Sequence, residues 1–365
     1  MVEIYEIRLF SKYLSLVSET KRTPLNPLHI GATLRGFVGD PLYVRVGELD
    51  QRLRKSSLGV AFGHWEIQRS YSDEELARAE LFLLKVPFTE VAAEEYGTRY
   101  QESSECEPEI GFVEHIGGTN FQVARKKVSC ALWSKQVGPL RIAFRKLRRS
   151  RDIYRVWGGE LILSECFRSL INEGGFSGVA FFPIVNAADE NLTSPLQFSN
   201  SPAGIEALSL AADKQMSPGE WDFWLWLNSE EQKPLLERLL TQKKSAVKGN
   251  EGATSRREFA QLVLRSKPLE VSDQSRFGAT PFDTDREGYH ECSAGVIAGM
   301  RLVSPLSVLR SSWDGSDLCR TDAYVGGQRQ GLFRPYQHLV VSRRLFEALR
   351  QQGMKGFRFE VVEMV

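Results

Sequence analysis

The sequence predicts an α+β fold of two related modules, each holding a strand–helix–strand unit within mixed sheets flanked by helices. Two observations carry that prediction. Glu160-Leu-Ile-Leu-Ser164-Glu-Cys-Phe167-Arg-Ser-Leu-Ile171-Asn-Glu-Gly-Gly175-Phe-Ser-Gly178-Val-Ala-Phe181 has an ungapped partner, His338-Leu-Val-Val-Ser342-Arg-Arg-Leu345-Phe-Glu-Ala-Leu349-Arg-Gln-Gln-Gly353-Met-Lys-Gly356-Phe-Arg-Phe359, at a constant offset of 178 residues. Both copies read as an apolar strand, a serine cap, an amphipathic helix, a glycine stop and a returning strand.

Taken in order, Val2 to Leu16 alternates enough to predict a strand. Ser72 and Glu75 form a capping box ahead of Leu76, Ala79 and Leu81, which predicts a helix. The apolar run Leu81 to Val86 reads as a buried strand, and the acidic stretch Ala93 to Glu109 as a surface loop. Copy 1 of the repeat, about 150–184, closes an N-terminal module of residues 1–190. Asn186 to Asn191, with Pro195, Ser199, Ser201 and Pro202, breaks the apolar pattern there.

The second module, 191–365, opens with a helical insert, about 217–244. Ser217-Pro218-Gly219-Glu220 combines an N-cap, a proline at the first helical position and a glutamate at the third. Trp221, Phe223, Trp224 and Trp226 follow and make the helix apolar nearly all round, the pattern of a buried helix. A polar, glycine-bearing connection of about 243–257 precedes copy 2, about 316–362. In the repeat, Phe167 and Ile171 match Leu345 and Leu349, four apart on one helix face. Upstream, Arg151-Asp152-Ile153-Tyr154-Arg155 resembles Ser316-Asp317-Leu318-Cys319-Arg320.

Composition bounds the function. Of the 365 residues 42% are hydrophobic and 25% charged, and the formal net charge is +1. That is a globular composition with no global field for nucleic acid or membrane. A charged opening, Met1 to Arg8, lacks a secretory core, and no apolar run is long enough to span a bilayer. Five scattered cysteines (Cys106, Cys130, Cys166, Cys292, Cys319), none in a CxxC pair, fit a reducing compartment, so the expected location is the cytoplasm.

Candidate chemistry is sparse. Asp283-Thr-Asp285-Arg-Glu287-Gly288 begins like a calcium loop, but its twelfth position is Ala294, which favours an acidic turn. His290-Glu291-Cys292 would point to alternate faces of a strand, and His29, His64, His115 and His338 are isolated. No metal, cofactor or catalytic residue is therefore assigned, and the chain reads as a binding protein rather than an enzyme. The strongest interaction feature is basic: Arg141, Arg145, Lys146, Arg148, Arg149 and Arg151, interleaved with Ile142, Phe144 and Leu147. It reads either as a surface for nucleic acid or an acidic protein partner, with Arg145, Lys146, Arg148, Arg149 and Arg151 as contacts, or as an edge strand guarded by charge.

Ser311-Ser312-Trp313-Asp314-Gly315-Ser316-Asp317-Leu318, Leu339 to Leu345 and Gly356-Phe357-Arg358-Phe359 resemble the C-terminal signature of the double-CXXCG immunity-protein family. Copy 1 resembles the same module, so the likeness covers about a third of the chain. The CxxC pairs that name the family are absent, so no zinc is carried over. What the resemblance implies is a bacterial cytoplasmic protein that binds and neutralises a cognate toxin by protein–protein association. The alternative is a nucleic-acid-associated defence protein, or an enzyme with an unrecognised active site.

Overall fold

An alternating stretch at the N-terminus starts the chain. In this computed structural model, β1 (Val2–Phe10) buries Tyr5, Ile7 and Leu9 on one face, as a period of two requires. The structure describes residues 1–10, 13–17, 30–56, 61–89, 91, 93–98, 100–101, 109–117, 120–127, 135–136, 138–147, 150–156, 158–186, 259–278, 280–282, 290–291, 296–298, 301–326, 328–329, 332–333 and 336–365. The strand expected to reach Leu16 ends at Phe10, and Leu14–Val17 forms a helical turn, α1, that tucks Val17 into the core.

β2 (Ile30–Phe37) and β3 (Phe62–Ser70) flank β1 antiparallel on either side. Between them runs α2 (Pro41–Lys55), begun by the Asp40 carboxylate, which accepts the Tyr43 N–H at 2.7 Å. Its buried Val46, Leu49 and Leu53 pack on Tyr5, Ile7, Trp65 and Ile67. Arg69 fastens this layer to the rest: its side chain is fully buried and donates to Glu3 at 2.8 Å and Glu360 at 3.1 Å.

α3 (Asp73–Arg78) carries the expected capping box between Ser72 and Glu75. β4 (Leu81–Lys85) follows, buried along its length except at Lys85. The stretch 93–109, expected to be loop, holds a 3-10 turn at Ala93–Tyr96 with Ala93 buried, and β5 (Tyr100–Gln101). β6 (Glu109–Gly117) and β7 (Asn120–Lys127) make a hairpin, and β8 (Lys135–Gln136) pairs with β5.

Two larger sheets follow. β9 (Leu140–Ile142), β10 (Ile153–Arg155), β11 (Leu161–Ser164), α4 (Glu165–Glu173) and β12 (Val179–Asn186) form the first unit. Beyond it come β13 (Phe259–Leu264), β14 (Phe277–Gly278), β15 (His290–Glu291), β16 (Val296–Ala298) and β17 (Arg301–Leu302). The second unit is β18 (Leu306–Val308), β19 (Leu318–Gly326), β22 (Tyr336–Ser342), α5 (Arg343–Gln351) and β23 (Arg358–Met364); β20 (Gln328–Arg329) and β21 (Leu332–Phe333) form a small ladder after β19. The first sheet is ordered β10-β11-β13-β12-β9 and the second β15-β16-β19-β22-β4-β23-β18, so the molecule is α+β with mixed sheets.

The helix boundaries follow the sequence signals. Ser164 and Ser342 each accept the N–H three residues on, at 3.3 Å. Gly175 (φ 60°) and Gly353 (φ 63°) stop the two helices. Phe176 N–H then bonds to Ile171 O, and Met354 N–H to Leu349 O, closing a Schellman motif in each case.

The pairing registers of the two units coincide. Phe82 lies opposite Val341 and Val361, while Ala260 lies opposite Leu163 and Pro183. Every residue in the second set is displaced by 178 from its counterpart in the first. β4, which precedes the first unit, therefore lies between β22 and β23 in the second sheet, and β13, which precedes the second unit, fills the equivalent slot between β11 and β12 in the first. Strands thus cross the expected 190/191 module boundary in both directions. Both helices and both sheets share one core, with Phe82 stacked on Phe346 at 3.8 Å and Phe167, Ile171, Leu345 and Leu349 buried together. The aromatic insert of 217–244, the connection of 243–257 and the acidic 283–288 segment lie outside the described residues.

Candidate functional site

The basic cluster resolves into residues with separate fates. β9 is the outermost strand of the first sheet, parallel to β12, and its Leu140 and Ile142 are buried. Arg141 is buried too: its Nε donates to Tyr96 O at 3.1 Å, and burial lowers its pKa. A 3-10 turn, Phe144–Lys146, follows. Its inner side is fixed by Phe144, edge-on to Phe259 at 4.9 Å, and by the Phe144 N–H on the Asn186 side chain. Buried Ala143 and Leu147 bracket it, which leaves Arg145 and Lys146 exposed, and neither forms an ion pair with a described residue. Arg151 is half-buried, its carbonyl accepting the Tyr154 hydroxyl at 2.7 Å. Arg148 and Arg149 lie outside the described residues.

The second unit has a turn at the equivalent place. β18 runs parallel to β23 with Leu306 opposite Val362, as Leu140 is opposite Ile184, and the turn Arg310–Ser312 follows it. Here Arg310 is neutralised by Glu80 through bonds of 2.8 and 3.2 Å. Ser311 and Ser312 occupy the places of Arg145 and Lys146, and Ser312 Oγ accepts the Glu270 N–H at 2.9 Å. The same kind of turn thus follows the outermost strand in both units, and where the second has serines the first has Arg145 and Lys146, without partners among the described residues.

The aspartates of the repeat are structural hubs joining the units. Asp152 accepts the Ser164 hydroxyl at 3.0 Å and, from the other unit, the Lys355 N–H at 2.8 Å. Asp317 mirrors it, accepting the Ser342 hydroxyl at 2.7 Å and the Ser177 N–H at 2.9 Å. Arg344 adds bonds to Asp317 at 2.5 and 3.1 Å and caps the end of α4 through Gly174 O and Gly175 O. Burial alone would raise the Asp317 pKa, but bonds from Arg344, Ser177 and Ser342 outweigh it and hold the carboxyl at about 2. The position equivalent to Arg344 in the first unit is Cys166, which is exposed.

Other polar groups are dispersed. His64 is shifted down by burial and by Arg301, and His338 is buried in the second sheet against Phe277. Among the described residues no three potential metal ligands gather, and no helix is long and apolar enough to cross a membrane. A cleft of ≈ 330 Å³ opens beside α2, lined by Val38, Tyr43, Val44, Arg276, Phe282 and Val303. Burial pushes the Tyr43 phenol up to about 12, and its hydroxyl is spent on Pro281 O at 2.9 Å, so it supplies no acid or base near neutrality. No family model, curated protein or solved structure matches this chain.

One feature escaped the sequence reading. Arg155, Phe88, Tyr336 and His338 meet where β10 approaches the start of β22. Residues 88, 155 and 336 have no local relation in sequence, and the only signal was a histidine opening an apolar strand.

Proposed function

We propose that this chain is an immunity-type protein that binds and neutralises a cognate bacterial toxin in the cytoplasm, by association rather than turnover. Arg145 and Lys146 carry the contact, continuing into Arg148, Arg149 and Arg151, and the partner surface is acidic. The observation that supports this is the unequal use of one turn. An edge strand needs guarding in both sheets, since β9 and β18 are both outermost. In the second the places of Arg145 and Lys146 are held by serines and the one arginine of the turn, at the place of Phe144, is paired with Glu80, whereas in the first Arg145 and Lys146 are exposed without a partner among the described residues. Charge held ready on one copy alone is what electrostatic steering of a protein partner calls for. The matching registers of the two units further support their origin as copies of one ancestral unit.

The test is capture of the tagged chain from its native host at moderate salt, followed by co-expression with whatever protein is recovered in stoichiometric amount. The expected result is a single partner whose toxicity disappears on co-expression, with Arg145→Glu/Lys146→Glu weakening the complex about tenfold or more, mainly through slower association. Recovery of nucleic acid, with affinity falling steeply as salt rises, would replace this reading with the nucleic-acid one. A toxin bound and neutralised equally well by the double variant would move the contact elsewhere on the molecule.

A further inference from the structure

We propose that Arg155 and His338 form a binding site for a small oxyanion, with Arg155 Nε–H and His338 Nε2–H as donors to carboxylate- or phosphate-type oxygens. The proposal is independent of the immunity reading and of the basic turn.

Arg155 leaves β10 with only 5% of its surface exposed. Its guanidinium carbon lies 5.0 Å from the Tyr336 ring centre and 5.5 Å from that of Phe88. Aromatic faces soften the isolation of a cation but accept no strong hydrogen bond, and the Arg155 Nε is buried without a partner. Among the described residues no carboxylate pairs with it. Glu360, a buried acid of the second sheet, is engaged by Lys85 at 2.8 Å and Arg69 at 3.1 Å. A buried guanidinium normally has a carboxylate, and one without carries a charge that an anionic ligand would balance.

The second donor packs on the same ring. His338 is 5.7 Å from Tyr336, centre to centre, and lies flat on Phe277 at 6.2 Å. Its Nε2 is buried and also unpartnered. Burial, together with Arg155 and Lys85, holds its pKa down at about 3, so the ring is neutral and one nitrogen keeps a proton to donate. Burial also lowers Arg155, to about 10, which leaves it charged at neutral pH. Both orphaned nitrogens belong to groups packed on Tyr336, and the proposed anion would supply each with the acceptor or charge it lacks. The low exposure of Arg155 and His338, 5% and 8%, limits the ligand to a few atoms and excludes a macromolecular strand.

The test is thermal unfolding of the full chain at constant ionic strength in inorganic phosphate, acetate or chloride, with calorimetric titration of each anion. Phosphate or acetate at about 20 mM should raise Tm by roughly 2–4 °C over chloride if the anion binds in the millimolar range. Whichever anion acts names the ligand class. Arg155→Met should abolish that shift, and His338→Phe, the milder apolar replacement, should reduce it even if Arg155→Met fails to fold. An equal Tm in all three salts, with no heat of binding, overturns the proposal. So does a shift that persists undiminished in His338→Phe and in a folded Arg155→Met.

Discussion

Replacing Asp317 with alanine tests how the two units are fastened. The carboxylate is 5% exposed and accepts from Ser342, Ser177 and both ends of the Arg344 fork. Its pKa falls from 3.8 to about 2 in the folded chain, a difference that corresponds to about 2 kcal/mol at 1.36 kcal/mol per unit. Arg344 is more than half exposed, so solvent screening brings the electrostatic share nearer ~1–2 kcal/mol. Alanine also strands the Ser177 N–H and the Ser342 hydroxyl, which raises the expected loss to about 3–4 kcal/mol. Asp152→Ala removes the mirror-image bonds to Ser164 and Lys355 but no arginine, and should cost about 2 kcal/mol. Urea unfolding at pH 7 measures both. Because the folded pKa is the lower one, the Asp317 contribution is complete above the unfolded value near 3.8 and vanishes as pH falls towards about 2. Wild type should therefore lose more stability between pH 5 and pH 2 than Asp317→Asn does. Equal costs for the two alanine variants, or parallel pH profiles for wild type and Asp317→Asn, would refute the reasoning.

Two further outcomes are expected. Gly178 (φ 89°) and Gly356 (φ 108°) pass so near the opposite unit that a Cβ would sit 2.4 Å from Leu318 O and 2.8 Å from Ile153 O respectively. Alanine at either should cost more than about 2 kcal/mol in urea unfolding, against roughly 1 at Gly315, where φ is positive but the space is open. Burial pushes the Cys319 thiol up to about 11, whereas Cys166 is exposed. Peptide mapping after brief iodoacetamide treatment of the native chain at pH 7.5 should find Cys166 modified and Cys319 untouched until denaturant is added.

The local half of this fold was legible in the sequence. A serine that caps and a glycine that stops act within a few residues, so both repeat helices and the Ser72 capping box stand where the sequence puts them. The α2 start was equally open to reading, since Asp40-Pro41 is a cap followed by a proline at the first helical position. Pairing across the chain was not legible. Leu81–Lys85 and Phe259–Leu264 are short apolar runs that would sit in many sheets, and nothing local marks their destinations. The candidate site divides in the same way. Arg145 and Lys146 could be named from charge spacing, but not that Arg141 turns inward or that Arg155 meets His338.

The exchange of β4 and β13 has a consequence for how the chain assembles. β4 leaves the ribosome together with β11 and β12, well before β22 and β23 exist, and the slot between its own neighbours has the right register to hold it. Residence there is discouraged by chemistry. In the first sheet Gln261 of β13 donates to buried Gln136 at 2.9 Å, and β4 would bring Leu83 to that place and orphan the amide. In the second sheet β13 would set Ala260 under the Phe346 ring in place of Phe82, and Val263 where Lys85 holds Glu360. Register alone would let either strand fill either slot, and it is these side chains that assign β4 to the second sheet and β13 to the first. The Gln136–Gln261 amide pair is thus a marker of strand identity as well as a bond within the sheet.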